Sequence, residues 1–141
     1  MRIKELLFGG SGTGSKWGDL ALLLTRANAG FLMVWLHGRA KLPPSGKMIG
    51  SIGDLGFPVP VVFAWLAALS EVVGAACIIV GLATRLSATF LSIVMGVAAF
   101  VVHRADSLKT KELALVYLGT FLLLAFTGAG RFSADAFLRR K

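Results

Sequence analysis

From Val61 to Leu82 the chain runs for twenty-two residues with a single charge, Glu71. A helix rising ~1.5 Å per residue covers the ~30 Å hydrocarbon core of a bilayer in that length, so the stretch reads as a membrane span with its one carboxylate roughly half-way through. An acidic side chain near the centre of such a helix costs on the order of 2.5–3.5 kcal/mol on insertion scales, and it normally faces a partner or a cavity. Whatever the rest of the chain folds into has to answer for Glu71.

The remainder is compatible with one membrane domain. Hydrophobic residues make up 56% of the 141, and the mean hydropathy is +0.78, above the ~45–50% apolar content of soluble domains. The net charge of +8 does not point to nucleic acid, because the 15 Lys and Arg residues sit at segment ends and connections rather than along one face. Cys77 is the single cysteine, which excludes a thiol-disulfide mechanism using the chain's own Cys pair; it reads as a small packing residue.

Taken in order, residues 1–18 read as a flexible cytoplasmic segment. Its Gly9–Lys16 run is not a phosphate loop, since Ser15 separates Gly14 from Lys16 and Trp17 follows the lysine. Nor do its first sixteen residues carry the apolar run and cleavage site of a signal peptide. The fold expected is all-α: a four-transmembrane-helix bundle running up-down-up-down, with both termini on the same side. Residues 19–137 form its domain, with helices over about 20–41, 59–82, 84–104 and 111–130, and a basic tail over 138–141. In the first helix Arg26, Gly30, Met33, His37 and Lys41 recur at helical spacing and define one polar or small face. In the second, Ala64, Ala67, Ala68, Glu71, Gly74 and Ala75 form a stripe of small residues that lets helices approach closely in lipid and turns Glu71 inward. A third stripe is Arg85, Thr89, Ser92, Gly96, Ala99 and His103, with Thr84 as the expected N-cap. Pro43-Pro44 ends the first helix, and residues through Pro58 read as a loop folding over one mouth of the bundle. Trp17, Trp35 and Trp65 read as interface or packing residues.

Four spans bring both termini to one side. That side holds nine of the positive groups and the other six, which under the positive-inside rule places the termini in the cytoplasm and the two histidines near the outer face. Arg26 starts ~9 Å in from the cytoplasmic end of its helix, and its long side chain is expected to form a buried ion pair with Glu71. His37 is the second candidate partner, reached from the outer side. His37 and His103 could face each other as axial haem ligands, but His37 should lie ~6 Å inside the boundary that His103 marks, which argues against haem. No metal site is expected, for want of a cysteine or second carboxylate at ligand spacing.

The runs His37-Gly38-Arg39-Ala40-Lys41, Glu71-x-x-Gly74, Gly81-Leu82-Ala83-Thr84-Arg85 and Thr127-Gly128-Ala129-Gly130-Arg131-Phe132-Ser133-Ala134-Asp135, in this order and spacing, resemble the DoxX family of small four-helix membrane proteins over about residues 20–137. The chain departs from that pattern at Ala75, Leu113 and Ala129, where a glycine, an aromatic and a proline are usual. The resemblance implies a multi-pass protein of a bacterial-type inner membrane. It implies too that Arg26, His37, Lys41, Glu71, Arg85, His103 and Arg131 are the positions to watch, since some family members are membrane subunits of a thiosulfate:quinone oxidoreductase or of complexes handling thiol and oxidative stress.

Three functions follow as expectations. In the first, the chain is a quinone-facing or anchoring subunit of a membrane oxidoreductase. Glu71 and His37 are then the proton-exchanging pair, Arg26, Lys41, Arg85, His103 and Arg131 contact quinone or substrate, and the partners are the bilayer, a redox subunit and further copies of the chain. In the second it is a non-catalytic scaffold or assembly factor whose buried charges fix helix register. In the third it is a transporter or permeation path for a small or anionic solute, with Arg26, Arg85 and Arg131 collected on one side.

Overall fold

A computed structural model describes residues 13–139; most of the expected N-terminal segment 1–18, and the last two residues of the basic tail, lie outside the described residues. Four helices are long and apolar enough to cross a membrane: α1 (Lys16–Lys41), α3 (Pro60–Val80), α4 (Thr84–Val102) and α5 (Leu108–Thr127). Two short helices join them, α2 (Gly46–Asp54) and α6 (Ala134–Arg139), and there is no strand among the described residues.

α1 starts at Lys16, earlier than its apolar run, because Ser15 takes an extended N-cap conformation and Asp19 in the first turn accepts the Thr13 N–H at 3.0 Å. The expected flexible stretch is therefore ordered helix by residue 16. The run from 43 to 58 is not loop throughout. Ser45 caps α2 by accepting the Met48 N–H at 3.2 Å, and Met48, Ile49 and Ile52 turn half-buried toward the bundle while Lys47 and Ser51 stay exposed. Three glycines in this segment mask a helical spacing that its apolar residues carry.

α1 and α3 are antiparallel and share a fixed register. Arg26 lies level with Ile78 and Ile79, Gly30 against Ala75 and Ile79, and Gly38 against Glu71 and Val72. At Gly38 the two backbones come so close that a Cβ would stand 2.8 Å from the Glu71 carbonyl oxygen, which only glycine avoids. α4 and α5 form the second antiparallel pair, with Arg85 at the start of one bonded to Phe126 O at the end of the other. Met33, Ala75, Ile78, Ala88, Leu91, Met95, Phe121 and Leu124 fill the core between the pairs.

The outer surface carries Phe31, Trp35, Leu66, Val73, Phe90, Ile93, Phe100, Val116 and Phe126, all exposed. So continuous an apolar surface has lipid as its solvent. Five span hydroxyls conform to that solvent: Ser70, Thr89, Ser92, Thr120 and Thr127 each donate to the carbonyl four residues back on their own helix, at 2.7–2.9 Å.

Three of the four spans are locally unwound into wide π-helical turns, at Met33–Gly38 in α1, Ser70–Gly74 in α3 and Ala98–Val102 in α4. Such turns hold roughly under 1% of residues in proteins and gather at functional sites. Here they contain His37 and Glu71 and immediately precede His103.

Candidate functional site: a mid-span acid and a latched end

Glu71 is the twelfth of the 21 residues of α3 and is 1% exposed, on the face lined by Ala64, Ala68 and Ala75, each fully buried. Its Oε1 accepts from Lys41 Nζ at 2.6 Å, while Oε2 is buried without a hydrogen-bond partner. The ion pair expected between Glu71 and Arg26 does not form. The antiparallel register sets Arg26 at Ile78–Ile79, eight residues or ~12 Å along α3 from Glu71, and carbonyls close at hand take its guanidinium instead. Lys41, at the end of α1 and 37% exposed, runs its apolar stem from the mouth of the bundle inward and delivers the charge to the acid.

His37 stands one turn before Lys41. Its ring meets Tyr117 of α5 edge-on, with centroids 5.7 Å apart, and Tyr117 in turn stacks on Phe121 at 5.7 Å. Among the described residues no hydrogen bond joins His37 to Glu71. Tyr117 is the chain's only tyrosine and sits in a span without charges between Leu113 and Thr127, the one sequence signal that could have marked it. The polar group near mid-span is thus Glu71 and Lys41 paired between α1 and α3, with His37 and Tyr117 beside them between α1 and α5.

The other end of the bundle, where residues 13–19 and 128–139 meet, is built differently. Arg26, 2% exposed, donates through Nη1 to Ile78 O at 3.1 Å and to Ile79 O, and through Nη2 to Phe132 O. A cation there satisfies the orphan carbonyls at the C-terminus of α3 and complements its dipole. The turn after α3 needs Gly81, at φ +71, because a Cβ there would stand 2.6 Å from Ser133 Cβ and 2.9 Å from Arg26 Nη1. Thr84 does not cap α4. Ala83 takes the N-cap position in a left-handed conformation, and the cap comes from Asp135, whose two oxygens accept the Ala83 and Thr84 N–H groups at 2.7 and 2.9 Å. Asp135 N–H returns a bond to Gly81 O at 2.9 Å. Arg131 Nε pairs with Asp19 Oδ2 at 3.1 Å, so the beginning and end of the described chain are clasped by one ion pair. Asp19 is fully buried, and like Asp135 it escapes sequence reasoning because the partner that matters, Arg131 for Asp19 and the Ala83–Thr84 backbone for Asp135, lies 112 and about 50 residues away respectively.

The five residues expected to bind quinone or substrate are therefore not brought together. Arg26, Arg85 and Arg131 belong to the clasped end, Lys41 to Glu71, and His103 to the loop between α4 and α5, where its Nδ1 bonds Asp106 Oδ2 at 2.7 Å. His103 makes no ring contact or hydrogen bond with His37 among the described residues. The inward stripe expected on α4 is borne out at Ser92 and Ala99, which are buried, but Thr89 faces outward, and the rest of the buried face is made by Thr84, Ser87, Ala88, Leu91 and Met95.

A family model described as DoxX matches residues 21–104, from the first apolar turns of α1 to the end of α4, and so includes Arg26, His37, Lys41, Glu71 and His103. The chain belongs to the DoxX family. An uncharacterized protein of Haemophilus influenzae is 38% identical over 111 residues, covering 73% of this chain and 80% of that protein. No solved structure gives a significant match. The clasp made by Arg131 and Asp135 lies beyond the DoxX match, whereas the mid-span pair lies wholly inside it. This DoxX protein is a multi-pass membrane protein, and its mid-span acid is the place to look for chemistry.

Proposed function

We propose that the chain is a quinone-facing or anchoring subunit of an oxidoreductase complex in a bacterial inner membrane, in the service of sulfur or thiol redox chemistry, with both termini cytoplasmic. The observation that carries this reading is the free oxygen of Glu71: a carboxylate near mid-span, held on one side by Lys41 and bare on the other. Buried polar atoms are ordinarily satisfied. Of those here without a hydrogen-bond partner, Glu71 Oε2 belongs to the carboxylate near mid-span, where a ligand or a proton would complete it, whereas Asp19 Oδ2, Arg26 Nε, Thr84 Oγ1 and Arg85 Nε belong to the clasped end. DoxX membership supports the redox setting by association.

In this reading Oε1 stays anchored on Lys41 while Oε2 takes up or releases a proton. Lys41 neutralises the ionised acid and, being partly exposed, links it to the mouth of the bundle. His37, oriented by Tyr117, is the second proton-exchanging group, and the wide turns at Ser70–Gly74 and Met33–Gly38 let both side chains shift without breaking their helices. Quinone supplies an acceptor for two electrons and two protons, the electrons coming from a redox partner subunit. The test is binding of a short-chain quinone analogue to the purified protein. Wild type should bind, Glu71→Gln should lose tenfold or more in affinity together with the reductase signal of the membrane, and absence of binding by wild type would end the proposal.

The scaffold reading is second, favoured by Arg26, Arg85 and Arg131 being engaged by backbone carbonyls or by Asp19. That same engagement weighs against a path for anions, which needs free guanidinium groups. A scaffold would keep its copurifying partners in Glu71→Gln and would bind no quinone analogue.

A further inference from the structure

Two lipid-facing grooves flank α5, and they differ in what their polar groups bond. The groove between α4 and α5, of about 390 Å³, has Thr89 and Ser92 as its polar lining, and both hydroxyls donate to carbonyls of their own helix. The groove between α1 and α5, of about 460 Å³, is walled by Leu24, Thr25, Asn28 and Leu32 on one side and by Val116 and Tyr117 on the other. The side chains of Thr25, Asn28 and Tyr117 make no hydrogen bond among the described residues. Both grooves fall in the range of roughly 300–1,000 Å³ that small-molecule sites occupy, so volume does not choose between them; the free polar groups do.

Tyr117 carries the most weight. It is 7% exposed and is the tenth of the 20 residues of α5, so it sits near the middle of its span. A second observation fixes the same depth: its ring meets His37, and the next residue of α1, Gly38, lies against Glu71 near the middle of α3. Its hydroxyl oxygen, unlike Glu71 Oε2, keeps accessible surface, and the residue lines the groove. Hydrocarbon has no acceptor for a phenol, so a donor left free at this depth is completed only by a ligand that brings one.

We propose that the groove between α1 and α5 is where the quinone head binds, with a ring carbonyl accepting from the Tyr117 O–H. The assignment rests on the quinone reading and gives that reading its binding surface. The lining selects the occupant. No charged side chain faces the groove, so a phosphate headgroup or an anionic solute would meet no cation there. What the groove offers is uncharged donors, the hydroxyls of Tyr117 and Thr25 and the amide of Asn28, in a trough whose rim at Leu24 and Val116 is exposed to lipid. That is the setting for a neutral ring bearing carbonyl acceptors and an apolar tail. Tyr117 and His37 meet at the mid-span end of the groove, so the carbonyl held by the phenol stands beside the imidazole that exchanges protons. Tyr117 is then a binding residue as well as the neighbour that orients His37.

The test measures binding of p-benzoquinone and p-naphthoquinone analogues with short alkyl tails to the purified full chain, with unfolding recorded on the same samples. Tyr117→Phe keeps the ring that packs on His37 and Phe121 and removes a hydroxyl that bonds nothing in the protein. It should unfold as wild type does and lose roughly two- to twelvefold in affinity, the worth of one hydrogen bond. Val116→Trp and Ile93→Trp fill the two grooves from lipid-facing positions that are 59% and 57% exposed. Val116→Trp should lose roughly tenfold or more by steric exclusion, and Ile93→Trp should bind as wild type does. A photoreactive analogue on wild type needs no variant, and its label should fall on α1 between Leu24 and Leu32 rather than on α4 between Thr89 and Ile93. Wild-type affinity in either Tyr117→Phe or Val116→Trp, or label on α4, would overturn the groove, and the quinone reading would survive if Glu71→Gln still weakened binding. No binding by wild type would overturn both.

Discussion

At the end of the bundle where the described chain begins and finishes, Arg26, Asp19, Arg131 and Asp135 are each matched by an opposite charge or by main-chain groups of another segment. Near mid-span, Glu71 has one cationic partner and one oxygen with none. Both regions bury charge in an apolar bundle and both leave atoms without a hydrogen-bond partner, Arg26 Nε, Thr84 Oγ1 and Arg85 Nε in the first and Glu71 Oε2 in the second. The first uses its charges to tie segments distant in sequence, whereas the open atom of the second is an acceptor on a titratable acid. Charges that tie distant segments together contribute to stability, whereas an acid left with an open acceptor costs stability unless a proton or ligand uses it. Substitutions in the two regions should therefore separate stability from activity.

The largest loss should come from the clasped end. Arg26→Leu strands the carbonyls of Ile79 and Phe132, while Ile78 O keeps the Gly81 N–H, and at about 1.5–3 kcal/mol per hydrogen bond to a charged group the bundle should lose about 3 kcal/mol or more in denaturant unfolding followed by circular dichroism. Equal stability in that variant would mean that the clasp does not hold the fold.

Next comes an asymmetry within the mid-span pair. Lys41→Met leaves a carboxylate that is 1% exposed without its cation, at a cost of about 3–5 kcal/mol, or else forces it to take a proton. Glu71→Gln leaves a lysine that is 37% exposed and can withdraw toward the mouth, so its cost should be about 1–2 kcal/mol. The same unfolding assay compares the two variants, and equal losses would contradict the placement of the pair.

Gly81→Ala tests how tightly the clasp is packed. The added methyl group would meet Ser133 and the Arg26 guanidinium in a left-handed turn, and a loss of about 2–4 kcal/mol is expected in the same unfolding experiment. The smallest effect should be that of Asp135→Ala, about 1–2 kcal/mol for a lost helix cap, with Asp135→Asn recovering most of it.

What the sequence made legible follows from interactions that are local along a helix. The four spans are readable from length and apolarity, and the inward position of Glu71 from Ala64, Ala68 and Ala75 at helical spacing around it. The face of α1 is readable too, since Arg26, Gly30 and Met33 are buried and His37 and Lys41 half-buried. Partners across helices are a different matter. Whether Arg26 or Lys41 reaches Glu71 depends on the register of α1 against α3, set by the backbone approach at Gly38, which no helical period records. Asp135 capping α4 and Asp19 pairing with Arg131 were hidden for the same reason. On α4 the polar spacing held at Ser92, which is buried, and misled at Thr89, because a hydroxyl that bonds its own helix can face lipid as well as core.

The most direct test of the difference between the two regions is quinone-analogue affinity measured on wild type, Glu71→Gln and Asp135→Ala in one detergent, with unfolding recorded on the same samples. The account predicts that Glu71→Gln loses tenfold or more in affinity while remaining folded, and that Asp135→Ala loses stability while binding as wild type does. Equal affinity in wild type and Glu71→Gln, or no binding by either, would contradict it.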